Sequence, residues 1–273
     1  MSNYDYVWRI NRFSLMTSLL NVLNEKGFDS SSYVLAHYFL QHFDKLEQLN
    51  IYDVAEECFV SRSGVQRFCK SIGFETFSTF KSAAAVEREV HKTSFIAYAN
   101  RPDFQDYTRQ AMSEMLLEIE TLTAQQDLSG FARKIHDSKN VVLLTAEVSS
   151  MAPRDLQQAL LVAGKLVHLV TDSHPDLELL TSLDENDLLI VCSATGNYAY
   201  AVNENLLKIT TPYKSLITLN RDQIFSQNYQ KIFYLSEDAG NHQRSVYTKY
   251  GIGYFLDLLY STYLEQYYSK DRH

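Results

Sequence analysis

Apolar residues in the first hundred positions recur at helical spacing. Leu15, Leu19, Leu20 and Leu23 form one stripe, and Leu35, Ala36, Phe39, Leu40 and Phe43 form another. These stripes predict amphipathic helices over residues 11–26 and 32–48. Asp29, Ser30, Ser31 and Ser32 supply the loop and cap between them. A short helix is expected over 51–58, with Val54, Ala55 and Cys58 inward. Ser61 can cap a further helix with Val65, Phe68 and Cys69 on one face. Arg62, Ser63, Gln66 and Arg67 fall largely on its other face, and Lys70 extends the basic edge. Gly73 stands where a helix end favours positive φ. Phe74, Phe77 and Phe80 make an aromatic stripe that reads as core rather than as a base-stacking surface. The pattern is that of a small all-α domain ending near residue 90.

Periodicity lapses over 91–102, and Pro102 stops any helix there. A strong helix is expected over 104–126, with Met112, Met115, Leu116, Ile119 and Leu122 on one side. From Phe131 onward short apolar runs alternate with helical segments. Strands are expected at 141–144, 167–170, 188–191, 215–219 and 231–234, and helices at 153–163, 177–183, 200–210 and 247–267. Such alternation predicts an α/β domain, a parallel sheet sandwiched by helices. The division is therefore a helix–turn–helix domain over 1–90, a linker over 91–103 and an α/β domain over 104–273.

Charge sharpens this picture. The 273 residues carry a net charge of −8, which disfavours a general nucleic-acid binder. Residues 1–100 are nearly neutral, with ten Lys/Arg and eleven Asp/Glu. The segment from Arg62 to Lys81 holds four basic residues and one acidic residue. A weakly basic reading surface neutralises few phosphates, so two copies acting together are expected. No apolar run is long enough for a bilayer and no signal-peptide pattern opens the chain, which predicts a cytoplasmic protein with no membrane partner. Cys58, Cys69 and Cys192 lack metal-ligand spacing and are odd in number, so neither a disulfide framework nor a metal site is expected. His168 and His174 have no partner His at metal spacing, and no cofactor is expected.

Two chemistries stand out. Arg62, Ser63, Gln66 and Arg67 carry donors suited to base edges in a major groove, while Ser61 and Lys70 can hold phosphates. In an open parallel sheet, ligands bind beyond the carboxyl ends of the strands. The loops at 145–150 and 193–197 follow two such strands and are rich in hydroxyls, which suits an anion at a helix start.

The run VSRSGVQRFCKSIGFETFSTFK, within residues 31–85, resembles the N-terminal domain of the RpiR/MurR-type bacterial transcription regulators. The matching positions are Val60-Ser61, Arg67-Phe68-Cys69, Gly73-Phe74, Phe77 and Phe80-Lys81. Phe59 departs from the family's usual turn Gly, and Gly64 from its usual Thr. Residues 125–268 resemble the sugar isomerase (SIS) domain that follows in those regulators. DLLIVCSATGNYAYAV, DLQQALLVAGK, the spacing of Asp172 and His174, and YGIGYFLDLLYSTYL carry that likeness.

The resemblance implies a sugar-phosphate site with Ser149, Ser193 and Thr195 as contacts and Gly196 and Asn197 shaping the loop. Thr145 and Glu147 replace the family's two first-loop glycines, and Tyr198 replaces a Thr. A carboxylate at 147 repels a phosphate unless it turns away or bonds a sugar hydroxyl. The reading is a regulator rather than an enzyme. It binds a palindromic duplex operator as a homodimer or homotetramer and answers to a sugar phosphate or related small molecule. One alternative is a regulator with a degenerate effector site that answers to a protein partner or a non-phosphorylated ligand. A further alternative is a phosphosugar isomerase using Glu147 and His174.

Overall fold

The first stripe folds as α1 (Leu15–Glu25), started by Ser14, whose Oγ accepts the Thr17 N–H at 3.1 Å. The computed structural model describes residues 14–91, 96–206, 208–209, 212–238 and 244–268, so the predicted helix positions 11–13 lie outside the described residues. α2 (Ser31–Gln41) is capped by Ser30. The helix expected to continue to 48 breaks at His42, and a 3-10 segment, Phe43–Gln48, replaces its last turns. Lys45 there has non-helical φ/ψ, and Leu46 is driven fully inside. α3 (Ile51–Glu57), α4 (Arg62–Ser71) and α5 (Phe77–His91) complete the helical unit. Val54, Val65, Phe68, Cys69 and Phe80 join Leu19, Leu35 and Phe39 in one core. A short turn, α6 (Ala97–Ala99), lies in the stretch expected to lack structure.

The chain separates into two compact units at Pro102 and Asp103. The second unit starts with α7 (Phe104–Gln125) and α8 (Leu128–Asp137). The strands are β1 (Val141–Thr145), β2 (His168–Thr171), β3 (Leu188–Cys192), β4 (Tyr213–Thr218) and β5 (Lys231–Tyr234). All pair in parallel in the order β2-β1-β3-β4-β5. β1 and β3 are buried along their whole length, whereas the edge strands β2 and β5 are partly exposed. That is why the inner strands read as continuous apolar runs.

The intervening helices are α9 (Met151–Val162), α10 (Leu177–Ser182) and α11 (Asn197–Leu206). α11 begins three residues earlier than its apolar pattern predicts, because the turn at Gly196 launches it directly from β3. After β5, α12 (Arg244–Val246) runs through a π-helical turn, Tyr247–Gly251, into α13 (Ile252–Tyr267). Tyr247 and Tyr263 of the Tyr-rich tail are buried.

Candidate DNA-reading helix and ligand crevice

α3 and α4 are joined by a turn whose hydrogen bonds are complete. The Phe59 N–H donates to the Glu56 carbonyl at 3.2 Å and the Val60 N–H to the Ala55 carbonyl at 2.9 Å. This paired pattern closes a helix with its next residue in the left-handed region. Phe59 takes that place with φ 54°. The turn therefore keeps its ordinary shape in spite of the bulky residue. Ser61 then starts α4, its Oγ accepting the Gly64 N–H at 3.0 Å. The domain itself has room for a side chain at Gly64, since a Cβ there would meet Ser61 Oγ at 3.4 Å.

The predicted DNA-facing residues do not all stand alike. Ser61, Arg62, Ser63, Arg67 and Lys70 are exposed. Ser63 Oγ lies 2.9 Å from Ser61 Oγ. The Arg62 guanidinium lies over the Tyr52 ring, 4.6 Å from its centroid. Gln66 is half-buried, and its Oε1 accepts the Phe77 N–H at 2.9 Å, closing the first turn of α5. One end of this predicted base reader is thus committed to holding two helices together. Gln66→Ala is expected to cost about 1 kcal/mol of domain stability by orphaning that N–H. Gln66→Glu keeps an acceptor and should keep the stability. Thermal unfolding of both variants checks this, and equal loss in both would remove the helix-tying role.

In the second unit, the strand order reverses between β1 and β3, which is where ligands bind beyond the carboxyl ends of open parallel sheets. The Thr145 hydroxyl, fully buried, donates to the Cys192 carbonyl at 3.0 Å and ties the two strand ends together. On the β3 side Ser193 is buried and its Oγ accepts the Ala199 N–H at 3.2 Å. Thr195 Oγ1 accepts the Asn197 N–H at 3.3 Å. Both predicted ligand hydroxyls therefore cap α11. Gly196 has φ 80°, and a Cβ there would fall 2.6 Å from Asn220 Cβ. Asn220 in turn donates from Nδ2 to the Thr195 carbonyl at 3.1 Å. Asn197 opens α11 and is exposed.

On the β1 side Ser149 is exposed, in the turn Glu147–Ser149. Glu147 turns toward the end of β2, across β1 from the β3 loop. Its Oε2 accepts the Thr171 hydroxyl at 2.6 Å and lies 3.6 Å from His174 Nδ1. Its Oε1 accepts from Ser150 Oγ at 3.3 Å and from Arg154 Nη2 at 3.4 Å. Burial raises the Glu147 pKa, but the bonds from Thr171 and His174 and the Arg154 charge outweigh it and hold the carboxyl below its usual value. Nothing in the sequence alone fixes Glu147 and His174 together; the fold pairs them. Tyr198 is buried.

The three cysteines are free and buried. Burial pushes the Cys58 thiol up to about 11 and those of Cys69 and Cys192 up to about 12, which leaves them poor nucleophiles. Among the described residues, no group of three or more His, Cys, Asp or Glu could hold a metal ion. Nor is any helix among them long and apolar enough to cross a membrane.

Residues 17–90 match the helix-turn-helix domain of the rpiR family. This part of the chain is an RpiR-family domain. The RpiR-family domain covers α1 through α5 apart from their outermost residues. An uncharacterized HTH-type transcriptional regulator of Clostridium perfringens is 24% identical over 88% of this chain and 89% of its own length. Another, from Providencia stuartii, is 25% identical over 67% of each chain. The solved structure of the Vibrio vulnificus NanR protein complexed with ManNAc-6P is similar in fold, with a TM-score of 0.51 and 20% identity, over 94% of this chain and 95% of that one. The protein is a transcriptional regulator that joins an RpiR-family helix-turn-helix domain to a parallel α/β domain.

Three residues that matter at these sites escaped the sequence reading. Tyr52 carries Arg62, Asn220 clamps the β3–α11 loop, and Arg154 balances Glu147. Each acts on a partner in another element, seven to twenty-five residues away, and only Asn220 had a local sign, its place at the end of a strand.

Proposed function

We propose that this regulator binds a palindromic operator through α4 and is controlled by a sugar phosphate, or a related carbohydrate, bound between the Glu147–Ser149 turn and the 193–197 loop. Arg67 and Arg62 read bases, Ser63 assists, and Ser61 and Lys70 hold phosphates. Ser149, Ser193 and Thr195 offer hydroxyl protons to the ligand, and Gly196 and Asn197 set the start of α11 against it. The observation that carries the ligand reading is the placement of both hydroxyl-bearing loops at the carboxyl ends of the paired strands β1 and β3, where the sheet order reverses. The ManNAc-6P complex of the similarly folded NanR supports the ligand class. Glu147 offers less repulsion than its sequence position suggests, because it faces Thr171, His174 and Arg154.

The same pairing argues against an isomerase. A general base works best with a pKa near the operating pH, and Glu147 is held in the opposite direction. A turnover assay on sugar phosphates checks this, and activity lost in Glu147→Gln would reverse the conclusion. The capping roles of Ser193 and Thr195 favour a second reading, in which these hydroxyls serve the fold and the effector is a protein partner or a non-phosphorylated ligand. Calorimetry with a sugar-phosphate panel separates the two. Binding that weakens in Ser149→Ala supports the first, and no binding across the panel supports the second.

For DNA, Arg67→Ala is expected to cost about 1–3 kcal/mol of operator affinity if it reads a guanine. If Arg67 meets only phosphate, the loss is similar for all sequences and the salt slope falls by about one. Titration of specific and random duplexes at several salt concentrations tells these apart.

A further inference from the structure

The chain closes three helices with the same pair of backbone hydrogen bonds. After α4 the left-handed residue is Gly73, with φ 95°, and after α9 it is Gly164, with φ 87°. After α3 it is Phe59, with φ 54°. Glycine adopts this conformation at no steric cost, whereas a bulky side chain there is strained. Burial does not compensate. The Phe59 side chain is 95% exposed, the most exposed large hydrophobic residue among those described. An apolar ring in strained backbone, in water, stabilises nothing within its own domain.

The surroundings indicate what would cover it. Phe59 lies two residues before the Ser61 cap of α4. Tyr52 of α3 is 59% exposed and carries the Arg62 guanidinium. Asp53 and Glu57 act on Tyr38 of α2, and Glu57 bonds its hydroxyl. Glu56 is exposed three residues before Phe59, and its charge disfavours a phosphate at this turn.

We infer that Phe59 is a DNA contact, packing its ring on the apolar edge of the duplex, a thymine methyl or a deoxyribose, beside the start of α4. This rests on the DNA-binding reading above. Thymine methyls are suited to apolar side chains, and a ring with no charge releases no counterions. The contact therefore adds affinity without adding to the salt dependence.

The test uses the full-length protein and a duplex that the wild type selects from random-sequence DNA. Phe59→Gly is expected to leave the melting temperature unchanged or higher, since it relieves the strained turn. It should weaken binding to the selected duplex about tenfold, with the salt slope unchanged. Phe59→Leu, which keeps an apolar side chain, should retain part of the affinity. Undiminished binding by Phe59→Gly overturns the inference and leaves the DNA reading intact. A loss of affinity accompanied by weaker self-association in sedimentation also overturns it, because the ring then serves contact between copies. If the wild type selects no duplex, the DNA reading and this inference fall together.

Discussion

Phe39→Ala is expected to unfold the first unit, abolish DNA binding and leave the second unit folded. Phe39 is fully buried, and its ring centroid lies 4.7 Å from that of Phe80, 5.9 Å from Phe68 and 6.1 Å from Phe77. It thus links α2 to α4 and to α5. Truncating a buried Phe to Ala costs about 3–5 kcal/mol. Whole domains are stable by only about 5–15 kcal/mol, and small ones sit at the low end. The second unit has its own core and shares no part of this cluster. Thermal unfolding followed by circular dichroism should show the transition of the first unit lost or lowered sharply, with the other unmoved. A single transition that shifts as a whole would contradict the independence of the two units.

Gly196→Ala is the second large effect, and it strikes the 193–197 loop. The residue sits at φ 80°, where a non-glycine residue costs about 1–2 kcal/mol. The new Cβ would also fall 2.6 Å from Asn220 Cβ and 2.7 Å from its Nδ2. Asn220 would have to leave the Thr195 carbonyl, and overpacking of this kind costs about 1–3 kcal/mol more. The expected outcome is a second unit less stable by about 2–5 kcal/mol and a lost response to any ligand at the 193–197 loop. The first unit should still fold and bind DNA. Denaturant unfolding read by domain, with ligand calorimetry beside it, checks both halves. Unchanged stability would mean that Asn220 moves aside without cost.

Much of this architecture was legible because its signals are local. Apolar spacing marks α1, α2 and α4, and Ser61 can be read as a cap from its own neighbours. The buried runs at β1 and β3 are unmistakable for the same reason. What the residues hide is tertiary. The apolar stripe through Phe43 gives no warning that the helix breaks at His42, since Leu46 is buried just as well from a 3-10 turn. Gln66 carries the right groups for a base edge, yet its oxygen is taken by an N–H eleven residues on. Glu147 looks hostile to a phosphate until Thr171, His174 and Arg154 are seen around it. Phe59 gives the opposite lesson, for it departs from the family's usual Gly and the turn still closes with the ordinary pair of hydrogen bonds.

The most direct test of the account is DNA binding by the full-length protein at fixed salt, first to duplexes selected from random sequence and then with ManNAc-6P and other sugar phosphates added. The expected result is a sequence-specific complex whose affinity shifts when one of these ligands is present. Because a ligand acts only through unequal affinity for two states, the shift measures that inequality directly. Specific binding indifferent to every sugar phosphate would contradict the proposed control, and failure to select any duplex would contradict the regulator itself.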